Sequence, residues 1–229
     1  MRLGEIFSGD WLREAAGRVI PILICITFHE LAHGFVAYKL GDRTAKDMGR
    51  LTLNPIRHID PIGCLMMLLT GFGWAKPVPV NMGAFRDPKK GMALTALAGP
   101  ASNIALAVPV LFIYGALRSF PALYGTSFGK FVTDMTLGTA YVSVALAVFN
   151  MIPIPPLDGS KALFALASSD RQYYMLMRYE RYGMILLVAV MYLGILSGPV
   201  QSVTSALFGG LFKVAEASAF IFGRLLRTG

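Results

Sequence analysis

Charge is what this sequence has least of. Only 15% of its 229 residues are Asp, Glu, Lys or Arg, where a water-soluble domain carries about a quarter. With 55% hydrophobic residues and a mean hydropathy of +0.59, the composition excludes an ordinary soluble domain. Cysteine is equally scarce. Cys25 and Cys64 both stand in apolar runs without CxxC or Cys/His spacing, which excludes a disulfide framework or thiolate metal site and leaves buried free thiols as the expectation. Acids are the minority charge, 13 against 21 Lys and Arg for a formal +8. No Arg-rich helix or aromatic RNA-binding strand accompanies that excess, so no nucleic-acid partner is expected and the charge reads as a signal of membrane topology. Nor is a cleavable leader expected at the chain's start: Met1 to Asp10 holds only a short apolar stretch and no small-residue cleavage site precedes Arg13.

What the chain does have is long apolar runs. About 20 apolar residues cross the hydrocarbon as a helix, and Val19 to Leu40, Gly91 to Leu117, Met135 to Leu157 and the shorter Tyr182 to Gly198 meet or approach that length. Pro61 to Phe72 is apolar but half a membrane thick, which suits a re-entrant piece. Val200 to Gly223 is long enough, yet Lys213 and Glu216 near its centre each cost about 2.5 to 3.5 kcal/mol; a last span and an interfacial helix both fit it. The expected fold is therefore an all-α membrane protein, a polytopic bundle of four to six transmembrane helices. At about 100 to 200 residues per domain, 1–229 is one membrane-embedded domain: an amphipathic N-terminal segment 1–18, a core 19–159 and C-terminal helices 160–229.

Basic residues set the orientation. Lys39 to Lys90 holds nine of them and Lys161 to Arg181 four, whereas the connection from Arg118 to Lys130 has only those two. The positive-inside rule places both rich stretches in the cytosol. If 61–72 does not span, the amino terminus lies outside and the first helix runs inward.

That first helix carries His29-Glu30-Leu31-Ala32-His33, the His-Glu-x-x-His pattern. Residues four apart share a helix face about 6 Å apart along the axis, so both imidazoles can reach one zinc ion, and the Glu between them can act as general base on a water there. Three ionisable side chains inside a span cannot face lipid. A catalytic zinc needs a third protein ligand, and none follows within the helix. His58 is the only other His; as an additional ligand it would close the site to water, so a role behind the ligands or in the fold suits it better. The carboxylates in or beside membrane segments are Asp60, Asp134, Asp158 and Glu216. Asp158 follows Asn150-Met151-Ile152-Pro153-Ile154-Pro155-Pro156-Leu157, where three prolines unwind the chain and can turn a carboxylate back into the bundle. Its competing role is the N-cap of a helix from Ser160 to Leu166.

Together with Gly99-Pro100-Ala101-Ser102-Asn103, Asn54-Pro55, His58-Ile59-Asp60-Pro61-Ile62-Gly63 and Phe72-Gly73-Trp74-Ala75-Lys76-Pro77-Val78-Pro79-Val80-Asn81, these motifs resemble the site-2 protease family of intramembrane zinc metalloproteases, peptidase family M50, in its compact prokaryotic branch without a PDZ or nucleotide-sensing domain. The resemblance runs from about Thr27 to Gly159. It implies one Zn2+ per chain on His29, His33 and Asp158, Glu30 as general base, and cleavage of a peptide bond in or near the transmembrane helix of a membrane-protein substrate. Asn103 and Asn150 match polar positions beside the site and could bind the oxyanion or an unwound substrate strand, or join helices by hydrogen bonds. The family also folds a small membrane-embedded sheet where Arg50-Leu51-Thr52-Leu53 alternates and Lys76 to Val80 can only be an edge or extended segment, so a small β-strand or re-entrant region is expected between the first two spans. The implied setting is the bilayer of the cell (inner) membrane, with the active site towards the cytosol and room for a homo-oligomer. The rival from another class is a non-proteolytic metal-binding or transport protein, which would need further acids or His along a pathway. A pseudoenzyme that only binds helices is disfavoured by intact His29, Glu30, His33 and Asp158.

Overall fold

The computed structural model describes residues 9–63, 73–167 and 169–228. Its helices are α1 (Gly9–Lys39), α2 (Thr44–Asp47), α3 (Pro88–Arg118), α4 (Pro121–Tyr124), α5 (Ser127–Asn150), α6 (Asp158–Phe164), α7 (Asp170–Tyr192) and α8 (Ser197–Thr228). Among the described residues four stretches are long and apolar enough to cross a membrane: Arg13–Lys39, Pro88–Arg118, Ser127–Asn150 and Ser197–Leu226. The chain is thus a multi-pass membrane protein. By Cα proximity it divides into one unit of Met1–Cys25, Ile104–Ala145 and Thr204–Gly229, and a second of Ile26–Asn103 and Leu146–Val203.

In the first unit, small residues allow close helix packing, the usual device where hydrophobicity cannot drive association within lipid. A Cβ on Gly115 would collide with the Ala215 backbone, and around this contact Leu111, Tyr114, Ala140 and Ala215 form a buried cluster. Contacts climb α3 and α8 together: Tyr114 with Phe212 at 6.0 Å between ring centroids, the Ser119 hydroxyl donating to the Ala219 carbonyl at 3.1 Å, and Phe120 with Phe222 at 6.3 Å. Phe222 also reaches Phe112 at 6.0 Å where the helices cross. The Ser218 hydroxyl also donates to the Phe112 carbonyl at 2.7 Å.

Among the described residues the expected span Tyr182 to Gly198 is not one continuous helix. The apolar helical piece is Tyr182–Tyr192, 11 residues and only about 16 Å long. It ends in a turn at Gly194 with φ +70°, a conformation glycine adopts without a Cβ penalty. The ambiguous Val200 to Gly223 lies instead within α8, the fourth apolar helix. Of the expected amphipathic N-terminal segment 1–18, the residues from Gly9 onward belong to α1; residues 1–8 lie outside the described residues. So do Cys64 and most of the expected re-entrant piece 61–72. Cys25 is buried, and its thiol faces the Thr139 carbonyl at 3.4 Å.

In the second unit the described residues form no strand where the small β region was expected. Among the described residues there is a single antiparallel bridge, Ile59 to Ala75, with the Lys76 N–H donating to the His58 carbonyl at 2.9 Å. Pro77 and Pro79 have no N–H to give a ladder. The carbonyls of Lys76 and Pro77 are taken instead by the Arg50 guanidinium, at 2.6 and 3.4 Å, so Arg50–Leu53 has nothing to pair with there.

Candidate metal centre

Unwinding after α5 delivers the third ligand. The helix stops at Asn150, the chain turns through Pro153, Pro155 and Pro156, and α6 begins at Asp158 without a side-chain cap. A Cβ on Gly159 would strike the carbonyls of Met151 and Ile152; glycine there lets the turn close tightly and fixes where Asp158 points. Its carboxylate Oδ2 lies 3.0 Å from His29 Nε2 and 3.2 Å from His33 Nε2. The carboxylate thus faces the two imidazoles and makes no helix-capping bond. These three residues form a cluster that could hold a metal ion, and all three are buried.

The opposite nitrogens fix the two imidazoles. His33 Nδ1 donates to the Thr95 carbonyl at 2.6 Å, which leaves Nε2 with the lone pair a metal requires. His29 Nδ1 lies 3.2 Å from Asn103 Nδ2, so as placed the amide nitrogen donates to the ring; Asn103 is wholly buried. With Nε2 on a metal, Nδ1 carries a proton and the amide oxygen turned towards it would accept. Above the imidazoles α3 brings Gly99, where a Cβ would overlap both rings. The Ser102 hydroxyl, bonded to the Gly99 carbonyl at 2.7 Å and the Phe28 carbonyl at 3.3 Å, ties that turn to α1.

Two imidazoles, one carboxylate and a cradle kept open by glycine fit a catalytic zinc, which takes three protein ligands and keeps one position free. Glu30, next to His29, is half-buried, and its Oε2 accepts the Val78 N–H at 2.8 Å.

The other expected residues lie elsewhere. Asn150 donates to the Leu146 carbonyl one turn back in α5, at 2.9 Å, and does not join the cluster. His58 is buried with Nε2 donating to the Thr52 carbonyl at 2.9 Å, a structural place in the loop before residue 61. Asp60 accepts the N–H groups of Ile62 and Gly63, both at 2.9 Å. Asp134 and Glu216 are not in the cluster either.

Thr95, Gly99, Arg50, Val78 and Asp42 were not expected at or around the site. Asp42 accepts the N–H groups of Asn81 at 2.6 Å and Thr44 at 2.9 Å. Burial works against its charged form, but the Thr44 hydroxyl and these two N–H groups outweigh it and hold the carboxyl below its ordinary value. Of the five, Gly99 and Val78 stood within quoted motifs and Arg50 within the expected strand, but none of those signals pointed to the contact each makes here; Thr95 and Asp42 had no signal.

Residues 125–194 match the model described as Peptidase family M50. The chain is 38% identical over 172 residues to "Putative zinc metalloprotease YwhC" of Bacillus subtilis (strain 168), covering 75% of this chain and 78% of that protein. It is 31% identical over 146 residues to "Putative zinc metalloprotease Rip2" of Mycolicibacterium smegmatis, covering 62% of this chain but only 53% of that one, about half its length. A third relative, "Putative zinc metalloprotease MJ0611" of Methanocaldococcus jannaschii, is 31% identical over 139 residues, 59% of this chain and 63% of its own. No solved structure matches the chain.

Proposed function

The chain belongs to peptidase family M50, and from that premise we propose that it is an intramembrane zinc metalloendopeptidase, hydrolysing a peptide bond in or near the transmembrane helix of a membrane-protein substrate. The observation that carries this reading is the buried convergence of His29, His33 and Asp158 beside Glu30. One zinc per chain, when bound, supplies a Lewis acid that makes water a nucleophile near neutral pH.

The chain's own residues do the rest. His29 and His33 present Nε2, held by Asn103 and the Thr95 carbonyl, and Asp158 supplies the anionic ligand. Glu30 takes the proton from the attacking water and returns it to the leaving amine nitrogen as the C–N bond breaks. Asn103 serves this reaction by orienting His29. A substrate helix must unwind to expose its carbonyl, since its backbone polar groups are tied up in its own hydrogen bonds. The setting is a multi-pass protein of the cell membrane, and the basic residues of 39–90 and 161–181 support an active site towards the cytosol. Copies of the chain can associate within the bilayer.

The deciding experiment compares wild type and Glu30→Gln, both purified in detergent and shown to contain zinc, on a single-span model substrate. Cleavage by wild type with at least about a hundred-fold loss in the variant is expected, the lower end of the usual effect of removing a general base. Equal cleavage by the two sinks the assignment.

A further inference from the structure

The segment Lys76-Pro77-Val78-Pro79-Val80-Asn81 lies across α1 and is tied down along its length. Prolines at 77 and 79 leave N–H groups only at 76, 78, 80 and 81, and three of these four are committed: Lys76 to the His58 carbonyl at 2.9 Å, Val78 to Glu30 Oε2 at 2.8 Å, and Asn81 to Asp42 Oδ2 at 2.6 Å. The carbonyls just before Val78 are fixed as well. Arg50, only 6% exposed, puts Nη2 on the Lys76 carbonyl at 2.6 Å and the Pro77 carbonyl at 3.4 Å. Burying a guanidinium is costly unless its hydrogen bonds are used, so this placement needs a return. Close approach of the segment depends on Gly34, one turn after Glu30: a Cβ there would sit 2.7 Å from Leu51 Cδ2 and 3.1 Å from Val78 Cγ1.

We propose that the Val78 main-chain N–H, aimed by Arg50, orients the general base: it engages Glu30 Oε2 and leaves Oε1 as the atom that takes the proton. A hydrogen bond to a carboxylate is about twice as strong as one between neutral groups, and a base misplaced by about 1 Å can lose roughly a hundred-fold in rate. Arg50 is thereby a positioning residue that acts through a backbone amide and never touches the reacting atoms. Its catalytic consequence rests on the reading of Glu30 as general base; the hydrogen bond itself does not.

Hydrogen exchange tests that bond directly. Between Pro77 and Pro79 the chain has a single exchangeable amide, so the fragment Lys76–Pro79, whose first residue has no amide once cleaved, reports Val78 alone. In the detergent-purified, metal-free protein the Val78 amide is protected, and Glu30→Ala or Arg50→Met speeds its exchange at least ten-fold; an unchanged rate in both variants overturns the proposal. For catalysis, Val78→Pro deletes the N–H at a position already confined to extended backbone by Pro79. Its kcat falls at least ten-fold below that of Val78→Ala, which loses the same side-chain contact with Gly34 but keeps the N–H, while KM and zinc content stay equal in the two. Equal kcat in the two variants overturns the positioning role. A Glu30→Gln variant as active as wild type would instead fail the proteolytic reading, with the exchange rates still deciding the hydrogen bond.

Discussion

Gly99→Ala puts a methyl group where the metal ligands meet. On the present backbone its Cβ would lie 2.6 Å from His29 Nε2 and would also overlap His33 Nε2, against about 3.5 to 4.0 Å for an ordinary contact, so at least one ring must shift by about 1 Å. Neither ring is free to shift. His29 is held by Asn103 at 3.2 Å and Asp158 at 3.0 Å, and His33 by the Thr95 carbonyl at 2.6 Å. In the metal-free protein two effects oppose: an off-rotamer imidazole costs about 0.5 to 1.5 kcal/mol, while replacing a helix-interior glycine by alanine gains about 1 kcal/mol. They nearly cancel, so stability without zinc should hold.

Zinc has no such offset, because ligand distances must lie within about 0.2 Å of their ideal values. Disturbing a group behind a ligand already costs about 10- to 100-fold in affinity; displacing a ligand itself should cost at least about 100-fold, or about 2.7 kcal/mol. The assay is competition with a graded series of chelators on detergent-purified protein, alongside thermal unfolding in EDTA. Wild-type zinc affinity in Gly99→Ala would refute the placement of the metal under Gly99. Weak zinc binding together with a large fall in metal-free stability would show a packing failure in place of a blocked site.

Four further outcomes follow from the same geometry. Asp158→Ala should abolish stoichiometric zinc, read by metal analysis after dialysis; full retention would return Asp158 to a purely structural place at the start of α6. Asn103→Leu, close in volume but without an amide, strands His29 Nδ1 and should lower zinc affinity about 10- to 100-fold, whereas Asn150→Leu, whose amide caps only Leu146, should change it less than three-fold by the same titration. Asp42 has a lowered carboxyl value, so what it contributes is complete above the ordinary carboxylate range near pH 4 and fades as pH falls through its lowered value. Thermal unfolding followed from pH 7 to 3 should show that acid-side loss flattened in Asp42→Asn, and an identical profile would remove Asp42 from the account. Gly115→Leu drives a side chain into the Ala215 backbone and should cost about 1 to 3 kcal/mol, an overpacking penalty, read as a lower midpoint of thermal unfolding in detergent; an unchanged midpoint would mean α3 and α8 do not pack as described.

How much of this could be read from the sequence depended on whether a residue's role is local. His29, Glu30 and His33 share one helix face, so a spacing of four was enough to pair them. Asp158 was legible because three prolines told where α5 must stop, although nothing in the sequence could show that its carboxylate would come within 3.2 Å of both imidazoles. The spans separated on a different ground. Tyr182 to Gly198 and Val200 to Gly223 are adjacent apolar runs of similar character, and hydropathy favoured the one without charges; what separated them is the helix break at Gly194, which cuts the first run short and leaves the second inside one long helix. The strand at Arg50–Leu53 failed because alternation describes side-chain faces and says nothing of where backbone groups bond. The Arg50 guanidinium takes carbonyls of the segment it was expected to pair with, a contact across 26 residues with no periodicity to announce it. That contact also explains why Val78 escaped notice: its side chain is ordinary, and the group that reaches Glu30 is a main-chain N–H, which every residue but proline has. Here the two flanking prolines are the legible trace, since by removing the neighbouring donors they leave Val78 the one amide in its stretch that can meet the carboxylate.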